Sequence, residues 1–395
     1  MADSTVSRAA RRRRRWWHLR QQWSMLGVFE ISADHEFFRL TTFIKEGTRV
    51  SIQKGVVSDR PSGLTEEDYR KKEQQTHKGF SMETYAAPVF RFLRCSVGIS
   101  EEQYLDSLCS DQCYVQFISN SKSKADFFVT VFVSDMIKGF FLKTQSRREV
   151  QFLLNKLKAY VQHLEKNPHS IMVRFMGVYR IIIPNEMKKY FIVMQSVFFP
   201  DERIDIRYDL KGCEVGRWTD PDTKGKHIIK VLKDNNFQEH ITLGPEKSWF
   251  VEQVRADVEF LRGLNVLDYS LLLAHQPLHQ DELQGRHWLA NLVLRTTNSD
   301  PDALPLAPLS LPSGLRDFGE HHRRLLPNCE NAVHVIDGED KRYFVGIIDI
   351  FTVYGCKKRL ESLWKTLRFP GRSFSTVSPR KYSARFCQWI QGRTK

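Results

Sequence analysis

From Asp126, the run DFFVTVFVSDMIKGFFLKT sets two apolar stretches, rich in aromatic and β-branched residues, on either side of a polar Ser134-Asp135 pair. This pattern predicts an antiparallel hairpin that ends at Lys143. Directly after it, Phe152, Leu153, Leu157, Tyr160, Val161 and Leu164 recur near helical spacing, so an amphipathic helix follows the hairpin. Two further strand-like runs, VRFMGVYRIII and KYFIVMQSVFF, complete a β-rich lobe with a packed helix over residues 79–200. The rest of the chain, 201–395, reads as a second lobe. It contains the charged segment RIDIRYDLKGCEVGRW, a helical pattern in EKSWFVEQVRADVEFLRGL, the strings NVLDYSLLLAHQ and RYFVGIIDIF, and a closing amphipathic stretch, PRKYSARFCQWIQ. Between about 276 and 341 the text turns polar, with Pro301, Pro305, Pro308 and Pro312 close together, which predicts an insertion in this lobe. Residues 1–78 are charged and poorly periodic. They read as a basic N-terminal extension and linker, with firm structure expected from about Phe80.

Composition narrows the class. Apolar residues are 41% and aromatics 12% of the 395, enough for a sizeable core and against wholesale disorder. The longest apolar runs are broken by charge well short of the roughly 18 residues a membrane span needs. The opening SRAARRRRRWWHLR has no apolar stretch and cleavage site behind it, so it does not read as a secretory signal. Seven scattered cysteines without CxxC spacing argue against a zinc site or disulfide framework and for a reducing compartment. A cytoplasmic chain, peripheral to membranes, is expected. The formal charge is +14, and it is concentrated: residues 1–20 carry +6 and residues 351–395 carry +10, leaving a nearly neutral body.

Three residues stand out chemically. Lys143 closes a hairpin just before a helix, Asp268 lies between Leu267 and Tyr269, and Asp349 is flanked by Ile347, Ile348, Ile350 and Phe351. A carboxylate in such company needs a partner or a metal to offset desolvation. A strand lysine for nucleotide phosphates, an acid that orients the acceptor hydroxyl and an aspartate for Mg²⁺ are the parts of a two-lobed phosphoryl-transfer site. Capping or salt-bridged aspartates and a surface lysine are the plainer readings.

The chain resembles the phosphatidylinositol phosphate kinases in GFSMETYAAPVFRFLR, GFFLKTQSRREVQFLLNKL, NPHSIMVRFMGVYR, RYDLKGCEVGR, LKDNNF, NVLDYSLLLAHQ, YFVGIIDIFTVYGCKKRLESLWKTL and FSTVSPRKYSARF, in family order over residues 79–390. The resemblance implies an α+β, two-lobed fold with an antiparallel sheet in the N-terminal lobe, and ATP and Mg²⁺ as cofactors. It implies Lys143 on the ATP phosphates with Glu149 as helix partner, Asp268 as catalytic aspartate and Asp349 as the Mg²⁺ ligand. Asp209 and Lys211 of DLKG, with Arg217 after them, fall on family positions near nucleotide or lipid phosphate. The activation segment, about 350–378, carries specificity and membrane docking in the family. Glu361 stands where the enzymes that phosphorylate position 5 of a 4-phosphorylated inositol have Glu. Leu360, Trp364 and Lys365 agree with that type, and Lys357 and Lys358 add cations, whereas FSTVSP is closer to the type II enzymes.

The pattern also breaks. The nucleotide loop ISNSKSKADFF contains no glycine, although glycine is what lets backbone N–H groups approach phosphate. Lys122 or Lys124 could contact phosphate in its place. Cys213-Glu214 replaces the usual Ser-Thr after DLKG. Two readings follow: a lipid kinase that makes phosphatidylinositol 4,5-bisphosphate from phosphatidylinositol 4-phosphate, or an impaired kinase fold that acts as a membrane-bound scaffold for type I kinases. The expected partners are anionic phosphoinositide membranes and a second kinase chain, as homodimer or heterodimer, since family members pair through their N-terminal lobes. Arg11 to Arg15 beside Trp16 and Trp17 suit an anionic membrane interface. Nucleic acid, which such a run could also bind, is the weaker reading because no recognition module accompanies it.

Overall fold

The computed structural model describes residues 28–31, 34–35, 37–56, 63–97, 99–109, 114–117, 127–130, 140–198, 204, 206–221, 231–278 and 335–395. Two sheets organise them. The N-terminal sheet has eight strands: β1 (Val28–Glu30), β2 (Lys72–His77), β3 (Phe80–Tyr85), β4 (Tyr114–Phe117), β5 (Phe127–Thr130), β6 (Phe140–Gln145), β7 (Phe175–Ile183) and β8 (Met187–Gln195). Their order is β1-β4-β5-β6-β8-β7-β3-β2, antiparallel at every step. The hairpin read from the sequence is the β5–β6 pair, with Lys143 opposite Phe127 on one side and Ile192 on the other. A register shift between Phe175 and Gly177 interrupts the β7–β8 ladder. Glycine is required there, because a Cβ on Gly177 would lie 2.6 Å from the Tyr179 ring and 2.8 Å from the Tyr104 hydroxyl.

Structure begins well before Phe80. Helix α1 (Phe38–Val56) packs onto β3, and strands β1 and β2 form the two edges of the sheet. The helix is hard to read as amphipathic because its buried face mixes Leu40, Ile44 and Ile52 with Thr41, Thr48 and Ser51. Ser51 is satisfied by a hydrogen bond to Thr84 of β3 (2.8 Å). Within the polar stretch taken for a linker, Thr65 and Asp68 form a capping box for the short helix α2 (Glu66–Arg70).

Two helices, α3 (Ala87–Ser96) and α4 (Glu101–Cys109), precede β4, and α5 (Arg147–Lys166) follows β6. On α5, Leu153, Leu157, Tyr160, Val161 and Leu164 are buried, as their spacing predicts; Val150 joins them, while Phe152 is half-buried. The second lobe holds β9 (Ile206–Leu210), β10 (Val231–Lys233), α6 (Lys247–Gly263), β11 (Ser270–Pro277), β12 (Val335–Asp337), β13 (Lys341–Ile348), α7 (Cys356–Arg368) and α8 (Pro379–Arg393). Its sheet runs β10-β9-β11-β13-β12, parallel between β10 and β9 and antiparallel elsewhere. Most of the predicted insertion, 279–334, lies outside the described residues, as do the Arg-rich start and residues 118–126 of the glycine-free stretch.

The lobes share one core. It runs from Phe90 and Leu157 through Phe175 to Leu271, Phe344 and Phe386. At the junction, Val173 and Ile347 exchange main-chain hydrogen bonds with their neighbours across the lobes (Val173 N to Ile347 O 2.9 Å, Ile347 N to Ile171 O 2.8 Å). Beside them the fully buried Asp257 of α6 meets His163 of α5 at 2.7 Å and accepts from Ile171 N at 2.9 Å. The fold is α+β and two-lobed, with the antiparallel sheet in the N-terminal lobe.

Candidate active site

Sheet register assembles the site. Ser270 opposes Ile348 and Leu271 opposes Leu210, so one end of three adjacent strands delivers Lys211 just after β9, Asp268 just before β11 and Asp349 just after β13. The N-terminal sheet supplies Lys143 from β6. Its Nζ lies 2.7 Å from Asp349 Oδ1, a contact between residues 206 positions apart that bridges the lobes. Lys211 Nζ sits 2.9 Å from Asp268 Oδ1 and also donates to the Asp268 carbonyl. Lys358 of α7 approaches the other oxygen, Asp268 Oδ2, at 3.9 Å. Two carboxylates and three lysines thus meet in one cleft between the lobes.

Both aspartates adopt left-handed backbone conformations, φ +68° at Asp268 and +61° at Asp349. A non-glycine residue in that region carries a strain of order 1–3 kcal/mol that persists only where the surroundings over-determine it, typically at functional sites. Aspartate is among the few residue types that tolerate the region. Burial pushes the Asp349 carboxyl up, but Lys143 and Lys211 outweigh it and hold the group below its ordinary value. At Asp268 burial is likewise outweighed, by Lys211 first and then by a Ser375 hydrogen bond and Lys358. Lys211 is the converse: burial favours its neutral form, yet Asp268, Asp209 and Asp349 raise it. Asp268, Asp349 and Lys211 are therefore charged at neutral pH.

Behind Lys211 lies a residue of the LKDNNF string that is not among the candidates. Asp234, itself buried, accepts through Oδ1 from the amides of Lys211 (2.8 Å), Gly212 (2.6 Å) and Cys213 (3.4 Å). Its Oδ2 takes Arg217 Nε at 2.6 Å. Nothing in the local pattern marks it, since its value comes from amides more than twenty positions away. Arg217, expected near phosphate, is buried between Asp234 and Asp209 (3.2 Å to Asp209 Oδ2) and donates to the Asp209 carbonyl. Its burial opposes the charge, and the two aspartates hold it protonated. In this arrangement it braces the DLKG turn. Glu149 serves at the start of its own helix, accepting from Ser146 N (3.1 Å) and Oγ (2.5 Å) as a capping box, while Lys143 takes Asp349. Lys122 and Lys124 lie outside the described residues.

Helix α7 inverts the usual amphipathic order. Leu360, Leu363, Trp364 and Leu367 share one face and are 58 to 78% exposed. The polar side is the half-buried one. There Glu361 holds Lys358 (3.0 Å), Lys365 (2.6 Å) and Thr376 Oγ1 (2.8 Å), and despite burial these partners keep it below the ordinary carboxylate value. Lys357, Arg359 and Arg368 flank the apolar face, exposed. Among the described residues no helix is long and apolar enough to cross a membrane.

An α+β fold split into two lobes, with acids and lysines converging between them, defines a kinase-like protein. The family model described as Phosphatidylinositol-4-phosphate 5-Kinase matches residues 108–393, and the chain belongs to that family of phosphoinositide kinases. It is 47% identical over 380 residues to human phosphatidylinositol 4-phosphate 5-kinase-like protein 1, which covers 96% of this chain and 92% of the relative. The mouse protein of the same name is 44% identical over 381 residues, with the same coverage. Human phosphatidylinositol 5-phosphate 4-kinase type-2 gamma is 30% identical over 334 residues, 79% of this chain and 76% of its own length.

Proposed function

We propose that the chain is a membrane-attached lipid kinase that transfers the γ-phosphoryl group of ATP to the 5-hydroxyl of phosphatidylinositol 4-phosphate. The observation that carries this reading is the convergence of Lys143 from one lobe with Lys211, Asp268 and Asp349 from the other. Phosphoryl transfer asks little covalent chemistry of a protein and much positioning and electrostatic stabilisation. Lys143 and Lys211 supply positive charge toward phosphate oxygens. Asp268, fixed by Lys211, orients the inositol hydroxyl. Held below its ordinary pKa it is a weak base, which suits a loose transition state in which the hydroxyl proton leaves late. The 5-oxygen bonds to the γ-phosphorus, the bond from that phosphorus to the bridging oxygen breaks, ADP departs, and the proton passes to Asp268.

Magnesium fits the donors. It binds through one or two carboxylates together with substrate phosphates and water, and Asp349, with Asp268 near, offers such a set. The ion would neutralise charge developing between the β- and γ-phosphates. Lys143, now on Asp349, would then turn to the nucleotide.

The outward face of α7 supports the membrane part. Leucines and a tryptophan enter the interface while Lys357, Arg359 and Arg368 meet anionic headgroups, each worth about 1 kcal/mol. Glu361 is anchored toward the site by Lys358, which also nears Asp268, so the helix that meets lipid is tied to the acceptor aspartate. The test is purified chain with radiolabelled ATP and vesicles of phosphatidylinositol 4-phosphate, followed by headgroup analysis. Label at position 5, absent with Asp268→Asn, is expected. Turnover no greater than that of Asp268→Asn, with vesicle binding intact, would replace the kinase by a membrane-bound scaffold.

A further inference from the structure

On the far side of the DLKG turn from Lys211 lies an open cleft of about 480 Å³, of a size with small-molecule sites. One wall is Gly212 and its neighbours, with Ser373 at one end. The other is α8, which contributes Arg385, Gln388, Trp389 and Arg393, spaced i, i+3, i+4 and i+8 and so sharing one face. Lys211, Asp268 and Asp349 are not part of its lining, so it is distinct from the centre described above. Gly212 closes the wall tightly: its φ is +64°, and a Cβ there would lie 3.1 Å from that of Trp389.

The charges in this cleft are unbalanced in a particular way. Its two acids are already engaged. Asp234 is spent on three amides and Arg217, and Glu214 Oε2 accepts from Ser373 N at 3.3 Å. The two arginines are joined to no carboxylate among the described residues. Arg385 donates through Nη1 to the Phe374 carbonyl (2.9 Å) and packs 5.3 Å from the Tyr382 ring centroid, while its Nε and Nη2 are shielded from water without a hydrogen-bond partner. Arg393 lies over the Trp389 ring at 5.8 Å. A shielded guanidinium with idle donors is costly, and a turn of the Arg385 side chain toward an oxyanion in the cleft would remove that cost. Eight residues of helix separate the arginines by about 12 Å, more than one phosphate spans but within reach of two long side chains gripping a small ring with an anionic group at each end.

We infer that this cleft is a second ligand site, for a compact molecule bearing two phosphate groups on one small scaffold, either free or as a lipid headgroup. Arg385 and Arg393 hold its two ends, and Gln388 hydrogen-bonds between them.

Titration calorimetry of the full chain with inositol 1,4-bisphosphate tests the free form, and flotation with phosphatidylcholine vesicles carrying phosphatidylinositol 4-phosphate tests the headgroup. Arg385→Gln and Arg393→Gln should each weaken binding at least about tenfold, the scale of a lost charge-assisted hydrogen bond. Gln388→Glu puts a carboxylate in the cleft from an exposed position and should do the same without touching either arginine, which covers the case of an arginine variant that misfolds. Loss in the calorimetric arm supports a free ligand, and loss in the vesicle arm alone supports a lipid headgroup. Binding in both arms indifferent to all three substitutions, no binding in either, or soluble binding abolished by Lys211→Met but kept by the cleft variants would overturn the assignment. The last outcome would place the bisphosphate in the cleft between the lobes and leave the kinase reading untouched.

Discussion

Helix α7 makes the sharpest prediction because its apolar side faces out. Leu363 is 62% and Leu367 78% exposed, so in water most of each side chain gains nothing from the fold. Full burial of a leucine is worth about 1.5–3 kcal/mol, so moving these exposed fractions into a membrane interface contributes about 3 kcal/mol for the pair. At about 1.4 kcal/mol per decade, the double change Leu363→Glu/Leu367→Glu should weaken partition onto anionic vesicles about a hundredfold. Folding stability should move by less than about 0.5 kcal/mol per site, as for surface positions generally. Vesicle co-sedimentation gives the first quantity and urea denaturation the second. Undiminished vesicle binding would refute the docking role, and a large loss of stability would mean that the leucine face is packed against protein.

Other consequences concern the site. Asp268 and Asp349 have folded pKa values below their unfolded ones, so their contribution to stability is complete above about pH 3.9 and is lost as pH falls through the folded values. The melting temperature should therefore drop in that acid window. Lys143→Met, which frees Asp349 of its nearest cation, should make the acid limb shallower, and an unchanged slope would contradict the assigned pairing. Asp234→Ala leaves the buried Arg217 with Asp209 alone and strips three amides of their acceptor, and should cost about 3 kcal/mol in urea denaturation, where an unchanged midpoint would count against the brace. Glu361→Ala releases Lys358 and Lys365 and should reduce the preference for 4-phosphorylated over 5-phosphorylated lipid by about tenfold, the scale of one charge-assisted contact. Rates on the two lipids measure it, and an unaltered ratio would separate Glu361 from specificity.

Much of the arrangement is legible along the chain because it follows local rules. The β5–β6 strands and α5 come from alternation and helical spacing, and Asp268 and Asp349 stand out as acids in apolar surroundings. Helix α1 escapes because Thr41, Thr48 and Ser51 share its buried face with aliphatic residues, a choice that only the packing on β3 explains. Asp234 escapes because its partners are brought to it by the fold. Arg217 and Glu149 have the expected positions but structural partners, for a sequence cannot say which of several nearby acids a guanidinium will meet or which way a capping carboxylate will turn. The inverted polarity of α7 is written in the spacing of Leu360, Leu363, Trp364 and Leu367. Whether that stripe points in or out is decided by the charged network of Lys358, Glu361 and Lys365 on the other side.

In the proposed function the acids and lysines gathered between the lobes transfer phosphate to lipid. Initial rates of lipid phosphorylation on phosphatidylinositol 4-phosphate vesicles, wild type beside Asp349→Asn at equal vesicle binding, test it most directly. Measurable turnover is expected in the wild type, with a fall of at least about a thousandfold in the variant, the loss of roughly 4 kcal/mol of transition-state stabilisation. Equal rates in the two proteins, or a wild-type rate at the blank, would contradict it.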